Sequence, residues 1–276
     1  MSCKDILALV MDAKADEATI TAAEQLRAAT GAHLACAFLT ALPDEPLAYE
    51  PTVVAGVWAE LLGRARAESE AARIAVEKRL GADVELRTAE ALARDLGRVA
   101  AVHARYADLT VLTRPSPADG DLLEEVIEGV LFHSGRPVLI VPPDWKGSAI
   151  GKRVAIAWDA SREATRAVAD ASALMDRADA VAILTVDAKP RMFGHGDAPG
   201  QNIAAHLSRR GLPVEVRNAD SMGRDVGATI LAEAQSFNAD LLVLGAYGHS
   251  RLRERVFGGA TRDMLRQSVI PMLMAH

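Results

Sequence analysis

The chain has 276 residues, 50% of them hydrophobic and 25% charged, with a net charge of −6 at pH 7. That length exceeds one typical domain and suits two, each able to bury its own core. The acidic balance argues against a broad nucleic-acid surface, which needs a basic face to neutralise phosphates, and leaves room for a local basic pocket.

Cys3 and Cys36 lie in apolar, strand-like runs with no CxxC spacing. They read as buried thiols, and neither a disulfide framework nor a zinc site is expected. The apolar run Ile6 to Met11 is broken at once by Asp12 and Lys14. It is too short for a signal peptide or a membrane span, so a cytoplasmic protein without membrane contact is expected.

In chain order, the first strand is Lys4 to Val10, followed by Asp12-Ala13 and an alanine-rich helix from Glu17 to about Thr30. A second strand runs from His33 to Leu39, a long helix from about Val57 to Leu80, and a third strand begins at Val84. Arg94-Asp95-Leu96-Gly97 opens a third helix, Ala107 to Leu112 is a fourth strand, and Arg136-Pro137 leads into a last strand, Val138 to Val141. Pro142-Pro143-Asp144-Trp145-Lys146-Gly147-Ser148 then reads as a linker.

The same series follows a second time. Lys152 to Trp158 repeats the first strand, Asp159-Ala160 the turn, and Glu163 to Met175 the first helix. Ala180 to Val186 repeats the second strand, and a helix from about Gly200 to Arg210 stops at Gly211. Val214-Glu215-Val216 matches the third strand, Arg224-Asp225-Val226-Gly227 the third helix start, and Ala239 to Leu244 the fourth strand. Pro271 to Met274 matches the last strand. Asp225 reads as a helix N-cap, with Asp95 as its twin.

Strands alternating with helices imply a parallel sheet covered on both faces. The expected fold is α/β: two doubly wound, five-stranded, Rossmann-like domains at residues 1–143 and 150–276. In such sheets ligands bind beyond the strand carboxyl ends, where the strand order reverses.

The fourth strand of the second copy runs into Gly245-Ala246-Tyr247-Gly248, and nine residues later come Gly258-Gly259, with Ala260-Thr261 opening the last helix. Glycines allow close backbone approach, and a helix N-terminus adds free N–H donors and partial positive charge. Together they can cradle an anion. Between them lie His249, Ser250, Arg251, Arg253 and Arg255 against one acid, Glu254.

Gly245-x-x-Gly248-(nine residues)-Gly258 resembles the ATP-binding signature of the universal stress protein (UspA-type) family, and the resemblance spans the chain as a tandem two-domain member. It implies an adenine nucleotide alpha hydrolase-like fold and an internal pseudo-dimer joined through the last strands, Val138 to Val141 and Met272 to Met274. Carried over by position, it implicates Ala157, Asp159, Val186, Leu244, Gly245, Gly248, Gly258 and Ala260 in holding ATP, with or without Mg2+. The family has Ser or Thr after the last glycine, whereas this chain has Gly259; Ser250 and Thr261 are the nearby hydroxyls that could substitute. One lost hydrogen bond to a charged group is worth about 1.5–3 kcal/mol.

Aligned on Pro137 and Pro271, with a loop two residues shorter, the first copy carries Thr113 and Ser116 where the second has Gly245 and Gly248. Pro115 and Pro117 remove two N–H donors, and Glu124-Glu125 fall where Gly258-Gly259 sit, so no phosphate is expected there. His195 lies in a loop with no partners at metal-ligand spacing, and no metal site is expected. No catalytic set is visible.

The leading expectation is a stress-response regulatory protein that binds ATP, or a related adenine nucleotide, in its second copy and acts through conformation and an unknown protein partner. An alternative is a nucleotide-independent module binding a protein or an apolar small molecule. A slow ATPase or autophosphorylating protein ranks third, because no general base is visible. Whether two chains pair further as a homodimer is left open.

Overall fold

A computed structural model describes residues 3–45, 51–115, 121–147, 149–190, 194–246 and 264–276, with side chains from 56 onward in the second of these ranges. The first half contributes β1 (Asp5–Val10), α1 (Glu17–Thr30), β2 (His33–Leu42), α2 (Pro51–Arg79), β3 (Glu85–Leu92), α3 (Ala93–Ala104), β4 (Leu109–Thr113), α4 (Leu122–His133) and β5 (Val138–Val141). The second contributes β6 (Arg153–Ala157), α5 (Arg162–Asp170), α6 (Ser172–Met175), β7 (Ala180–Val186), α7 (Gln201–Ser208), β8 (Val214–Ala219), α8 (Val226–Ser236), β9 (Leu241–Gly245) and β10 (Met272–Ala275).

The ten described strands form one sheet in the order β3-β2-β1-β4-β5-β10-β9-β6-β7-β8. Each half is a doubly wound parallel sheet whose order reverses between β1 and β4, or between β6 and β9. The halves meet where β5 and β10 pair antiparallel, Leu139 opposite Leu273. This is the join through the last strands that the family resemblance implies.

Alternation along the strands sends side chains to two apolar layers. Ile6, Ala8 and Val10 enter one, with α1, α5 and α7; Leu7 and Leu9 enter the other, with α3, α4 and α8. Both faces are therefore covered, which explains why the strands read as unbroken apolar runs. Cys3 and Cys36 are free and buried, and burial pushes their thiols up to about 11 and about 12. Among the described residues no helix is long and apolar enough to cross a membrane.

Three local expectations need correction. The helix after β6 is not continuous to Met175: it breaks at Ala171 into α5 and α6. Helix α2 starts at Pro51, six residues before the expected Val57. Asp95 is not a cap, because β3 runs directly into α3 and places Asp95 inside the first turn; Asp225 does cap α8, accepting the Ala228 N–H at 2.8 Å. The segment between β5 and β6 packs on the fold, with Trp145 against an apolar layer and its backbone N–H donating to Pro142 O.

Helices α3 and α4 cross at Gly97 and Gly129. A Cβ on either glycine would fall under 3.0 Å from the other helix's backbone.

Candidate functional site

The reversal between β6 and β9 sets Ala157 beside Leu244, with Leu184 of β7 on the other flank. Val154, Ala155 and Ile156 are buried, and half-buried Ala157 lies at the strand end. Trp158 packs into one apolar layer and Ala157 into the other. Strand β6 stops at Ala157, so its two-residue period does not carry on to Asp159.

A tight turn follows. Exposed Asp159 accepts the Ser161 N–H at 2.9 Å, and Ala160 takes a left-handed conformation (φ 59°), uncommon for a residue with a Cβ. Ser161 then caps α5 by accepting the Ala164 N–H at 3.0 Å. The positive end of α5 therefore starts at the crevice. Sequence reasoning missed this cap, although a serine directly before a helical run is a usual signal.

Gly245 has a reason of its own. A Cβ there would lie under 3.0 Å from the backbone of Glu163 and Ala164, so glycine lets the first turn of α5 pack on β9. Leu244 is buried in the apolar layer that Ala157 touches. Val186 ends β7 half-buried, opposite Ala219. The next residue, Asp187, accepts the Ser221 N–H, and the Ser221 side chain and amide hold its carboxyl below the usual range. The structure thus gathers Ala157, Asp159, Leu244 and Gly245 about the reversal point. Gly248, His249, Ser250, Gly258, Gly259, Ala260 and Thr261 lie outside the described residues.

The first half fills the matching position with its own groups. Thr113 occupies in β4 the register position that Gly245 holds in β9, and its hydroxyl pairs with that of Thr19 in α1 at 2.6 Å. Asp16, only 6% exposed, accepts the Met11 and Asp12 N–H groups at 2.7 and 3.0 Å. Burial pushes its carboxyl up, against those hydrogen bonds and one from Thr113. Ser116 and Pro117 lie outside the described residues. Glu124 is not presented to an incoming phosphate: it is 3% exposed and bonds Arg266 of the second half, while Glu125 is exposed.

A cleft of about 650 Å³ lies elsewhere in the first half, lined by Phe38, Thr40, Arg66, Ser69, Thr88 and Glu90 among others. Its two guanidiniums are already neutralised, Arg66 by Glu90 and Arg73 by Glu70 and Glu77. Half-buried His195 precedes α7, and among the described residues no group of three His, Cys, Asp or Glu could hold a metal.

Residues 151–276 match the universal stress protein family model. A universal stress protein from Archaeoglobus fulgidus DSM 4304 superposes with a TM-score of 0.67 at 17% identity, over 99% of this chain and 96% of that one. A functionally unknown protein from Pseudomonas aeruginosa PAO1 superposes with a TM-score of 0.56 at 14% identity, over 99% of this chain and 92% of that one. At these identities the likeness shows the fold. No curated protein sequence matches the chain significantly.

Proposed function

We propose that residues 150–276 are a universal-stress-type domain that binds ATP, and that residues 1–143 are a second domain of the same architecture without a phosphate site. The chain then works as a stress-response regulator through conformation and contact with a protein partner. The observation that carries this reading is the family match at residues 151–276, which covers the sheet-order reversal beside Gly245.

Ala157 and Val186 offer small apolar walls to an adenine ring, and exposed Asp159 offers a hydrogen-bond acceptor. In this reading the phosphate donors come from Gly248, Gly258 and Ala260, as the sequence pattern implies. A bound nucleotide brings the charge that these groups read; the chain's own part is to bind and orient it.

Isothermal titration of the purified chain with millimolar ATP, with and without Mg2+, tests the reading. Saturable heat that Gly258→Val removes from a folded protein is expected. No heat from the unaltered chain sinks it and favours a nucleotide-independent interaction module, for which Gly259 in place of a hydroxyl is the sequence argument.

A further inference from the structure

Helix α2 turns two different surfaces to the sheet. Residues 66, 69, 73 and 76 recur at helical spacing on one side of it. Val76 is fully buried in an apolar layer, with Ala72 packed against that layer. The three before it are Arg66, Ser69 and Arg73, and these line the cleft of about 650 Å³ instead. A helix face turned to a sheet is ordinarily apolar, and a protein interior is ordinarily filled. Here the sheet is polar too. Phe38 and Thr40 of β2 stand in register with Thr88 and Glu90 of β3, and all four line the cleft. The Thr40 and Ser69 hydroxyls pair at 2.5 Å, and Arg66 donates to Glu90 from Nε and Nη2 at 3.0 and 2.6 Å.

The fold does not require this gap. In the second half Thr185 and Asn218 hold the register places of Phe38 and Thr88, and the Thr185 hydroxyl donates to Asn218 Oδ1 at 2.6 Å. Gly200, at the start of α7, packs so closely there that a Cβ would lie 2.9 Å from Val216 and 3.3 Å from Ile183. The half whose reversal point is filled by Asp16 and Thr113 thus keeps an opening at a place where its neighbour is packed shut.

We propose that this cleft binds a neutral, polyhydroxylated molecule, a sugar or polyol. Its volume falls in the range of about 300–1,000 Å³ usual for small-molecule sites. The charges that line it cancel, Arg66 and Arg73 against Glu70 and Glu90. They are already paired, Arg66 with Glu90 and Arg73 with Glu70, so a free anion or cation must compete with an ion pair to enter. A hydroxyl need not. It donates to the lone pairs that a bridged carboxylate still has, and accepts from a neighbouring N–H or hydroxyl. Phe38 and Ala89 add a small apolar patch that suits the C–H face of a sugar ring. This site is separate from the nucleotide reading and stands or falls without it.

The test uses the full chain and saturation-transfer NMR with glucose, trehalose and myo-inositol, each raised to about 10 mM, tenfold above a Kd of about 1 mM. Saturable transfer to at least one of them is expected. Arg66→Ala removes a donor and Ser69→Phe fills the cleft, and each should weaken that binding about tenfold or more. Arg66 is 56% exposed, so its variant carries the test where Ser69→Phe fails to fold. Transfer to none of the three overturns the proposal, as does binding that both folded variants leave unchanged. Displacement of the bound sugar by ATP would put it in the other crevice and overturn the proposal as well. Glycine taken up in place of the sugars, and lost in the same variants, would make the ligand a zwitterion and overturn the class.

Discussion

Arg266 Nε donates to Glu124 Oε1 at 2.7 Å, joining the last helix of the second half to α4 of the first through a carboxylate whose side chain is only 4% exposed. Removing the guanidinium strips a buried charge of its cationic partner, which for a fully buried pair is worth about 3–5 kcal/mol. The Arg266 side chain is half exposed, so water takes up part of the loss. Arg266→Ala should lower stability by about 1–3 kcal/mol, and Arg266→Lys by less. Thermal or urea unfolding of both variants, completed by the double variant with Glu124→Gln, measures the coupling. A coupling of zero would mean that the pair is incidental.

A second stability prediction concerns Gly129. Alanine is the better helix former by about 1 kcal/mol, so an open helical glycine gains on substitution. A Cβ added at Gly63 in α2 would meet nothing within 4 Å, and Gly63→Ala should raise stability by about 0.5–1 kcal/mol. At Gly129 the added methyl collides with the Gly97 backbone, which cannot yield as a side-chain tip can. Gly129→Ala should therefore destabilise by about 1–3 kcal/mol despite its better propensity. Parallel melts of the two variants should move in opposite directions.

The contrast between those glycines shows where sequence reasoning stops. The strands and their pairing were legible because a parallel strand buried on both faces must be apolar throughout, and the repeat put each strand in its place. The equivalence of Thr113 and Gly245, the residues that follow the matched runs Ala107–Leu112 and Ala239–Leu244, reappears in the strand register. The break at Ala171 was not legible, since alanine-rich sequence runs across it with no glycine or proline to mark it. Nor was the role of Glu124. A glutamate in a helix's first turn looks like a solvated charge, and only the neighbouring half turns it into a buried anchor. At the site, Ala157, Asp159, Leu244 and Gly245 lie about the reversal point, and packing against α5 by itself already requires a glycine at 245, which the spacing of the glycines did not reveal.

Asp16 gives the fold a pH dependence that can be isolated. In the unfolded chain it titrates near 3.8, and in the fold burial raises that value. Below pH 3.8 both states hold the proton and the group contributes nothing. As pH rises, the unfolded carboxyl ionises first, and folding is penalised increasingly until pH passes the folded value; above it the penalty is constant. Asp16→Asn retains an acceptor for the Met11 and Asp12 amides and removes the charge. Its stability relative to the unaltered chain should thus improve from about pH 4 upward and then level off. A stability difference that stays flat with pH would show that the hydrogen bonds to the carboxylate offset its burial.

Gly245 and Asp159 separate fold from ligand at the candidate site. Gly245→Ala drives a methyl into the backbone of Glu163 and Ala164, so β9 and α5 must part, and stability should fall by about 1–3 kcal/mol before any nucleotide is added. A loss of ATP binding in that variant says little about phosphate. Asp159 is exposed, and the hydrogen bond it accepts from the Ser161 N–H can be kept by an amide oxygen. Asp159→Asn should therefore leave stability within about 0.5 kcal/mol. If the carboxylate accepts from the ligand, exchanging it for a neutral acceptor weakens a charge-assisted hydrogen bond, and ATP affinity should fall by about three- to tenfold. Titration of the two variants beside their melting curves distinguishes the roles. Full ATP affinity in Asp159→Asn would remove that carboxylate from the binding set while leaving the part played by α5 and the glycines to stand by itself.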